Sequence, residues 1–477
     1  MDVVIVGAGM SGLCMGIRLK RAGIPFVIVE KSPRLGGTWW DNTYPGCACD
    51  IPSHLYAFSF APKHDWSQVY PPQPEILAYL ETLASEHGLL EHIRLGVTVR
   101  DARYQEATGR WRVALSEGDV LDAGTLVSAV GALHVPKYPA IAGRGEFAGP
   151  SWHSARWDHS VDLKGKRVGV IGNAASAVQL VPHVAEQAQE LYVFQRSPNW
   201  VLPRFESSYP RWAQFLFRSR VLQRLYRWGL YFYLEYMFLL VFRKGAWAGR
   251  FFRWLMTRGI HSKIQDEATR AVLVPDYPPG CKRALLSNDY YPTLNRENVS
   301  LVTSPLTTED AAGLVTEEKR YDLDAVVYAT GFDPMAVGPL QIYGREGQVL
   351  NERWATSPRA HLGITVPGFP NFYVLLGPNT GLGHNSVMWM VECQVNYVFR
   401  CMQTRQRKQL KALEVKEEAL ARFYETLERR MSNKVWSECT SWYRRDDGLN
   451  FTLWPSSTGR YWWETRRPRL RDFHCKT

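Results

Sequence analysis

The chain has 477 residues, of which 22% are charged and 13% aromatic, with 37 glycines. This composition excludes a disordered, collagenous or low-complexity protein and predicts a soluble globular enzyme of about three domains at roughly 150 residues each. Basic residues outnumber acidic ones 57 to 46, a formal charge of +11, yet no basic run of the nucleic-acid type occurs. The excess points to a polyanionic cofactor, with no nucleic acid partner expected.

The cysteines, such as Cys14, Cys281 and Cys401, are scattered. Cys47 and Cys49 form a C-x-C pair without a second pair at metal-ligand spacing, so no metal site is expected and the chain reads as a reduced, cytoplasmic protein. The first strand is expected to begin at Asp2, so no signal peptide is expected.

Val3–Val6 is a short, fully apolar run, the pattern of a buried parallel strand. Gly7-Ala8-Gly9-Met10-Ser11-Gly12 follows, then a helical stretch to about residue 22. Gly7 allows the tight turn, Gly9 the approach of a pyrophosphate, and Gly12 close helix–strand packing. The helix start offers unpaired N–H groups and a positive dipole end to phosphates. A second apolar strand ends in Glu30, 18 residues past Gly12, near the spacing of about 20 at which a carboxylate takes ribose hydroxyls.

Residues 74–87 carry helical periodicity, strands follow around 97–104 and 111–115, and 126–131 is a buried strand ending in glycine. A second strand-turn-helix comes at 167–187, with the turn Gly172-Asn173-Ala174-Ala175-Ser176-Ala177. Alanine at the last fingerprint position is tolerated. Alanine at 174 adds a methyl where phosphate approaches, so either the pyrophosphate sits further out or the helix start shifts. The next strand ends in Arg196-Ser197 where an acid would select the unphosphorylated ribose, which favours NADPH over NADH.

Residues 209–258 are dense in aromatic and basic side chains, and 229–242 is apolar except for Glu235. Those 14 positions fall short of the roughly 20 that cross a bilayer. A helical subdomain packed on the nucleotide domain is the favoured reading, ahead of an amphipathic patch touching a membrane surface. Further on, residues 325–333 form a strand closing on Ala329-Thr330-Gly331, and a helix is predicted over 386–402.

Between the two nucleotide motifs lies Phe147-x-Gly149-x-x-x-His153-x-x-x-Trp157-Asp158. This pattern resembles the fingerprint of Baeyer–Villiger monooxygenases, flavoenzymes of the flavin-containing monooxygenase superfamily that insert oxygen beside a ketone. The loops Gly36-Gly37-Thr38-Trp39 and 44–60, the element Gly280-Cys281-Lys282-Arg283 and the run 436–443 resemble the same family. The resemblance implies an α/β fold with two dinucleotide-binding, Rossmann-like domains. The NADP domain is inserted in the FAD domain, and a helical subdomain accompanies it. The implied division is 1–145 for the first FAD part and 146–160 for the linker. The NADP domain spans 161–325 with a helical insert at about 205–275, and 326–477 is the second FAD part with a substrate-side loop.

The same resemblance implies that Ser11, Glu30, Thr38, Trp39, Trp40, Asp41, Asp50 and Tyr56 line FAD. Lys282 meets the NADPH 2′-phosphate, and Arg283, fixed by Asp50, reaches the flavin. His153 is grouped with Arg283 and Asp50 as a positioning or hinge residue. The implied reaction uses FAD, NADPH and O2 to turn a small-molecule ketone into an ester or lactone by way of a C4a-peroxyflavin. An always-charged guanidinium keeps that peroxide anionic. The rival readings are a flavin monooxygenase acting on nitrogen or sulfur, a non-catalytic nucleotide-binding or scaffold flavoprotein suggested by Ala174, and a peroxide-forming NADPH oxidase.

Overall fold

The computed structural model describes residues 2–205, 208–334, 340–439, 441, 443–444 and 448–477. Glu206 and Ser207 of the expected insert, and Thr440 and Trp442 of the C-terminal loop, lie outside the described residues. The chain begins with β1 (Val3–Val6), α1 (Met10–Arg21) and β2 (Phe26–Val29), and adds β3 (Ile93–Arg94) and β4 (Thr125–Ser128). It then crosses to β5 (Ser151–His153), β6 (Arg167–Ile171), α2 (Ala175–Ala185) and β7 (Glu190–Phe194). Helices α3 (Arg211–Phe217), α4 (Arg220–Val241) and α5 (Trp247–Lys263) follow, before β8 (Val299–Val302) and β9 (Ala325–Tyr328). Finally β10 (Phe372–Val374) and α6 (Val387–Arg407) return to the first unit.

Two five-stranded parallel sheets result. In the first the order is β10-β4-β1-β2-β3, with Val3 opposite both Phe26 and Thr125. In the second it is β8-β7-β6-β9-β5, with Tyr328 opposite His153. Strands β1, β2 and β4 are buried along their whole length, as continuous apolar runs between helical layers must be. In each sheet the strand that opens the unit lies centrally, so the crevice for a ligand opens at its carboxyl end. The fold is thus the expected α/β pair of Rossmann-like units with a helical subdomain. The second sheet draws β5 from the linker segment and β9 from residues running to 328.

One steric rule shapes both units. Gly7 has φ +106°, and a Cβ there would lie 2.6 Å from the Ala129 carbonyl oxygen. Gly172 has φ +113°, and its Cβ would lie 2.4 Å from the Ala329 carbonyl oxygen. Each turn is therefore pressed under the end of a neighbouring strand, where no other residue fits. Gly172→Ala is expected to destabilise the second unit by about 1–3 kcal/mol through strain at a positive φ, and more if the Ala329 carbonyl cannot yield. Thermal unfolding followed by circular dichroism should show a midpoint several degrees lower; an unchanged midpoint would contradict the rule.

Candidate functional site

A continuous cleft of about 2290 Å³ runs between the two sheets and takes its walls from both glycine turns. Gly7, Gly9 and Ser11 line it at the start of α1, where the first N–H groups of a helix have no partner within it. Gly12 and Ala177 sit behind, buried in their own units. Glu30 is 5% exposed. Its Oε2 accepts from the Ala8 N–H at 2.7 Å and its Oε1 from the Ser32 N–H at 2.8 Å. The carboxylate is thereby aimed at the cleft with lone pairs to spare. Thr38, Trp39, Asp41 and Tyr56 line the same wall, and the Trp39 Nε1–H donates to the Tyr56 hydroxyl at 3.1 Å. Trp40 does not join them, because its ring lies under the Arg34 guanidinium.

The second turn matches the first in conformation. Gly9 caps α1 with φ −78° and ψ −172°, and Ala174 caps α2 with φ −85° and ψ −164°. Alanine adopts this extended geometry freely, so the helix start has not shifted. The exposed Ala174 and Ala175 and the half-buried Ser176 face the cleft. Asn173 holds the next loop in place, its Nδ2 donating to Gln195 Oε1 at 2.7 Å and to the Ser197 carbonyl at 2.8 Å. Lys282 Nζ donates to Ser197 Oγ at 3.2 Å and lies 4.5 Å from the Tyr277 ring centre. Burial, then the nearby Arg196 charge, holds the Lys282 ammonium below its ordinary pKa. Two cations crowded beside a helix N-terminus form a site for a polyanion.

Between the turns stands Arg283. Its Nε donates to Asp50 Oδ2 at 2.5 Å and its Nη2 to Asp50 Oδ1 at 2.7 Å, a two-pronged pairing, while Nη1 donates to the Leu382 carbonyl at 3.1 Å. Both side chains of the pair remain 28% exposed and line the cleft. Burial works against the Arg283 charge, but Asp50 opposite outweighs it and the guanidinium pKa is raised. Tyr443 packs beside this pair, and burial pushes its hydroxyl up to about 12.

The fully reduced chain expected from scattered cysteines is corrected here. Cys281 and Cys439 are bonded, with Cα atoms 6.1 Å apart, whereas Cys14, Cys47, Cys49, Cys393, Cys401 and Cys475 are free. The partners are 158 residues apart in sequence, so no spacing pattern marks them. The bond ties the Lys282-Arg283 segment to the C-terminal loop. Among the described residues no group of three or more His, Cys, Asp or Glu gathers as metal ligands.

His153 is not brought to the cleft. It is fully buried on β5, its Nδ1 accepts from the Ala155 N–H at 3.1 Å, and the Tyr138 and Phe332 rings meet it edge-on. Phe147 is buried as well, and Asp158 Oδ1 caps a turn by accepting from the Ser160 N–H. Sequence reasoning missed two other residues. Arg156, in the same segment, pairs with Asp41 Oδ1 at 3.1 Å; burial lifts the Asp41 carboxyl above its ordinary pKa, against the pull of that guanidinium. Gln179 on α2 accepts from the Tyr44 hydroxyl at 2.9 Å and donates to the Ala48 carbonyl at 3.0 Å, so it clamps the loop that ends in Asp50. A polar residue inside an apolar helix is the one sequence signal it offered.

The residues present fit two nucleotide cofactors: unpaired helix N–H groups and an aimed carboxylate at the first turn, a helix start with a crowded cation pair at the second. Residues 1–335 match the family described as flavin-binding monooxygenase-like. The chain is 40% identical to a Baeyer–Villiger monooxygenase of Pseudomonas aeruginosa, covering 100% of this chain and 91% of that one. It is also 40% identical to a Baeyer–Villiger monooxygenase of Streptomyces coelicolor, covering 99% and 92%. A crystal structure of OTEMO in complex with FAD and NADP superposes with a TM-score of 0.90 at 29% identity, covering 100% of this chain and 99% of that one.

The buried histidine has a measurable consequence. Burial lowers the His153 pKa from 6.5 to about 4. The unfolded chain takes up its proton as pH falls below about 6.5, and the folded chain does so only near 4, so stability is lost across that window by up to about 1.4 kcal/mol per pH unit. His54, His134 and His361 are lowered to about 4 in the same way and add to the loss. Urea unfolding at pH 7 and pH 5 should show the wild type weakened at the lower pH and His153→Asn weakened less; equal losses would refute the assignment.

Proposed function

The chain belongs to the flavin-binding monooxygenase-like family and is an FAD- and NADPH-dependent Baeyer–Villiger monooxygenase; from that premise we propose how its own residues divide the work. When bound, FAD supplies the two-electron chemistry that activates O2, with NADPH as the electron donor. The organic substrate is a small-molecule ketone, and the product is the ester or lactone with oxygen placed beside the carbonyl carbon.

The Gly7-Gly9-Ser11-Gly12 turn and the α1 N-terminus hold the FAD pyrophosphate, and Glu30 takes the ribose hydroxyls. Thr38, Trp39, Asp41, Asp50 and Tyr56 bound the flavin end, with Trp39 and Tyr56 locked together by their hydrogen bond. The turn from Gly172 through Asn173, Ala174, Ala175 and Ser176 to Ala177 receives the NADPH pyrophosphate. Arg196, Ser197 and Lys282 bind the 2′-phosphate, whose charge relieves the repulsion between the two cations. Walls from both units keep water from the reacting centre.

The observation that carries the mechanism is the Arg283–Asp50 pair at the junction of the two sites. Asp50 occupies one edge of the guanidinium, accepting from Nε and Nη2, and so fixes its orientation. Arg283 therefore presents a positive charge that cannot be titrated away at working pH, aimed where negative oxygen develops. Asp50 orients; Arg283 stabilises charge; His153, sealed in the second sheet, positions the linker and moves no proton.

Two measurements test this division. Arg283→Ala should retain FAD yet form ester at least about 10²-fold more slowly, the loss of one preorganised oxyanion donor or more. Ester formation at the wild-type rate would overturn the catalytic assignment. Arg196→Ala should raise the KM for NADPH by about ten-fold or more and leave that for NADH unchanged, since a charge-assisted hydrogen bond contributes about 1.5–3 kcal/mol. A parallel rise for both coenzymes would place the 2′-phosphate elsewhere.

A further inference from the structure

The stretch bearing α3, α4 and α5 carries nearly all of the protein's excess charge. Residues 208–265 contain eleven Lys and Arg and a single acid, Glu235, so this stretch contributes +10 of the formal +11. That one acid does not face outward. Glu235 Oε1 accepts from Asn385 Nδ2 at 2.9 Å and Thr458 Oγ1 at 2.6 Å, and lies 3.2 Å from His384 Nε2, all in the first unit. Over residues 208–265 the solvent side therefore holds cations alone.

Helix α4 explains the rest, because it has two apolar faces. One, with Tyr231 and Phe238, is buried against the body of the protein. The other is Val221, Leu225, Trp228, Phe232, Tyr236 and Leu239, spaced by three and four residues, and all six are exposed, five of them by more than half. That spacing sets them in one stripe, about 27 Å long at 1.5 Å rise per residue. On α5, Trp247, Phe251 and Trp254 repeat the pattern and are at least half exposed. Arg220, Arg224, Arg250 and Arg258 stand exposed among them. Packing on the first unit thus accounts for the inner face of α4 only.

Solvent-facing apolar surface on this scale marks a binding surface on a folded chain. Charge complementarity selects the partner. A second copy would set two faces of like charge against each other, whereas an anionic surface would neutralise them. Tryptophan and tyrosine rings together with arginines and aliphatic side chains match the headgroup boundary of a lipid leaflet. No helix among the described residues is long and apolar enough to cross a membrane, so the contact lies in the plane of the surface. We propose that the outward stripe of α4 and α5, with its arginines, docks the protein on an anionic membrane leaflet.

The test is sedimentation of the FAD-loaded protein with phosphatidylcholine vesicles and with mixed phosphatidylcholine–phosphatidylglycerol vesicles. Strong binding is expected to the mixed vesicles at low salt, with weakening at high salt and little binding to phosphatidylcholine alone. Two variants separate the contributions: Arg220→Glu with Arg224→Glu, and Leu225→Ser with Phe232→Ser. Each should lower the bound fraction by about ten-fold or more. Flavin content and NADPH consumption should be unchanged, since none of the four residues lines the cleft. Failure of the wild type to bind mixed vesicles at low salt, or wild-type binding by both variants, overturns the proposal. So does light scattering that shows a dimer dissociated by the serine substitutions in a protein that ignores vesicles.

Discussion

The bidentate pairing of Arg283 with Asp50 is the constraint on which the rest of the cleft depends. The guanidinium arrives on the segment that leaves the helical insert, the carboxylate on a loop of the first unit, and the third contact, the Leu382 carbonyl, on the chain's return. Three separate stretches are thus registered on one planar group. A fork of fixed geometry matches a carboxylate in a way that a flexible ammonium does not, so the pairing sets orientation as well as distance. Removing Asp50 would leave a half-buried cation without its partner, a larger penalty than the pair's net contribution to folding. Gln179, clamping Ala48 two residues before Asp50, reinforces the same junction from the other unit.

Much of this architecture was legible in the chain, for local reasons. Gly7 and Gly172 announce turns because backbone sterics allow nothing else there, and apolar four-residue runs announce buried strands because parallel sheets are covered on both faces. Arg283 and Asp50 were legible only through likeness to a family, since their 233-residue separation carries no periodic signal. The Cys281–Cys439 bond was missed for the same reason: long-range pairing leaves no trace in spacing. Trp40 shows the opposite case, since it was expected at the flavin but stacks on Arg34 and does not line the cleft, whereas His153, expected as a positioning or hinge residue, stands sealed under aromatic rings.

The insert teaches a related lesson. Its aromatic density reads as core when taken as composition, because large apolar residues are commonly buried. Helical spacing divides α4 into two stripes, and only tertiary structure tells which one meets the protein. Glu235 is decisive: the single acid turns inward to His384, Asn385 and Thr458, which fixes the rotation of the helix about its axis. His384 lies two residues from Leu382, so the loop that steadies Arg283 also anchors the insert.

The twin helix caps divide the tolerance of the coenzyme site between two neighbouring positions. Gly172 is pinned beneath a carbonyl, whereas Ala174, in ordinary extended backbone and open to the cleft, is not. Anyone refitting this protein to a cheaper or bulkier nicotinamide analogue therefore has latitude at 174 and none at 172. With the coenzyme placed as proposed, side-chain size at position 174 becomes an adjustable dial for how deeply the diphosphate settles.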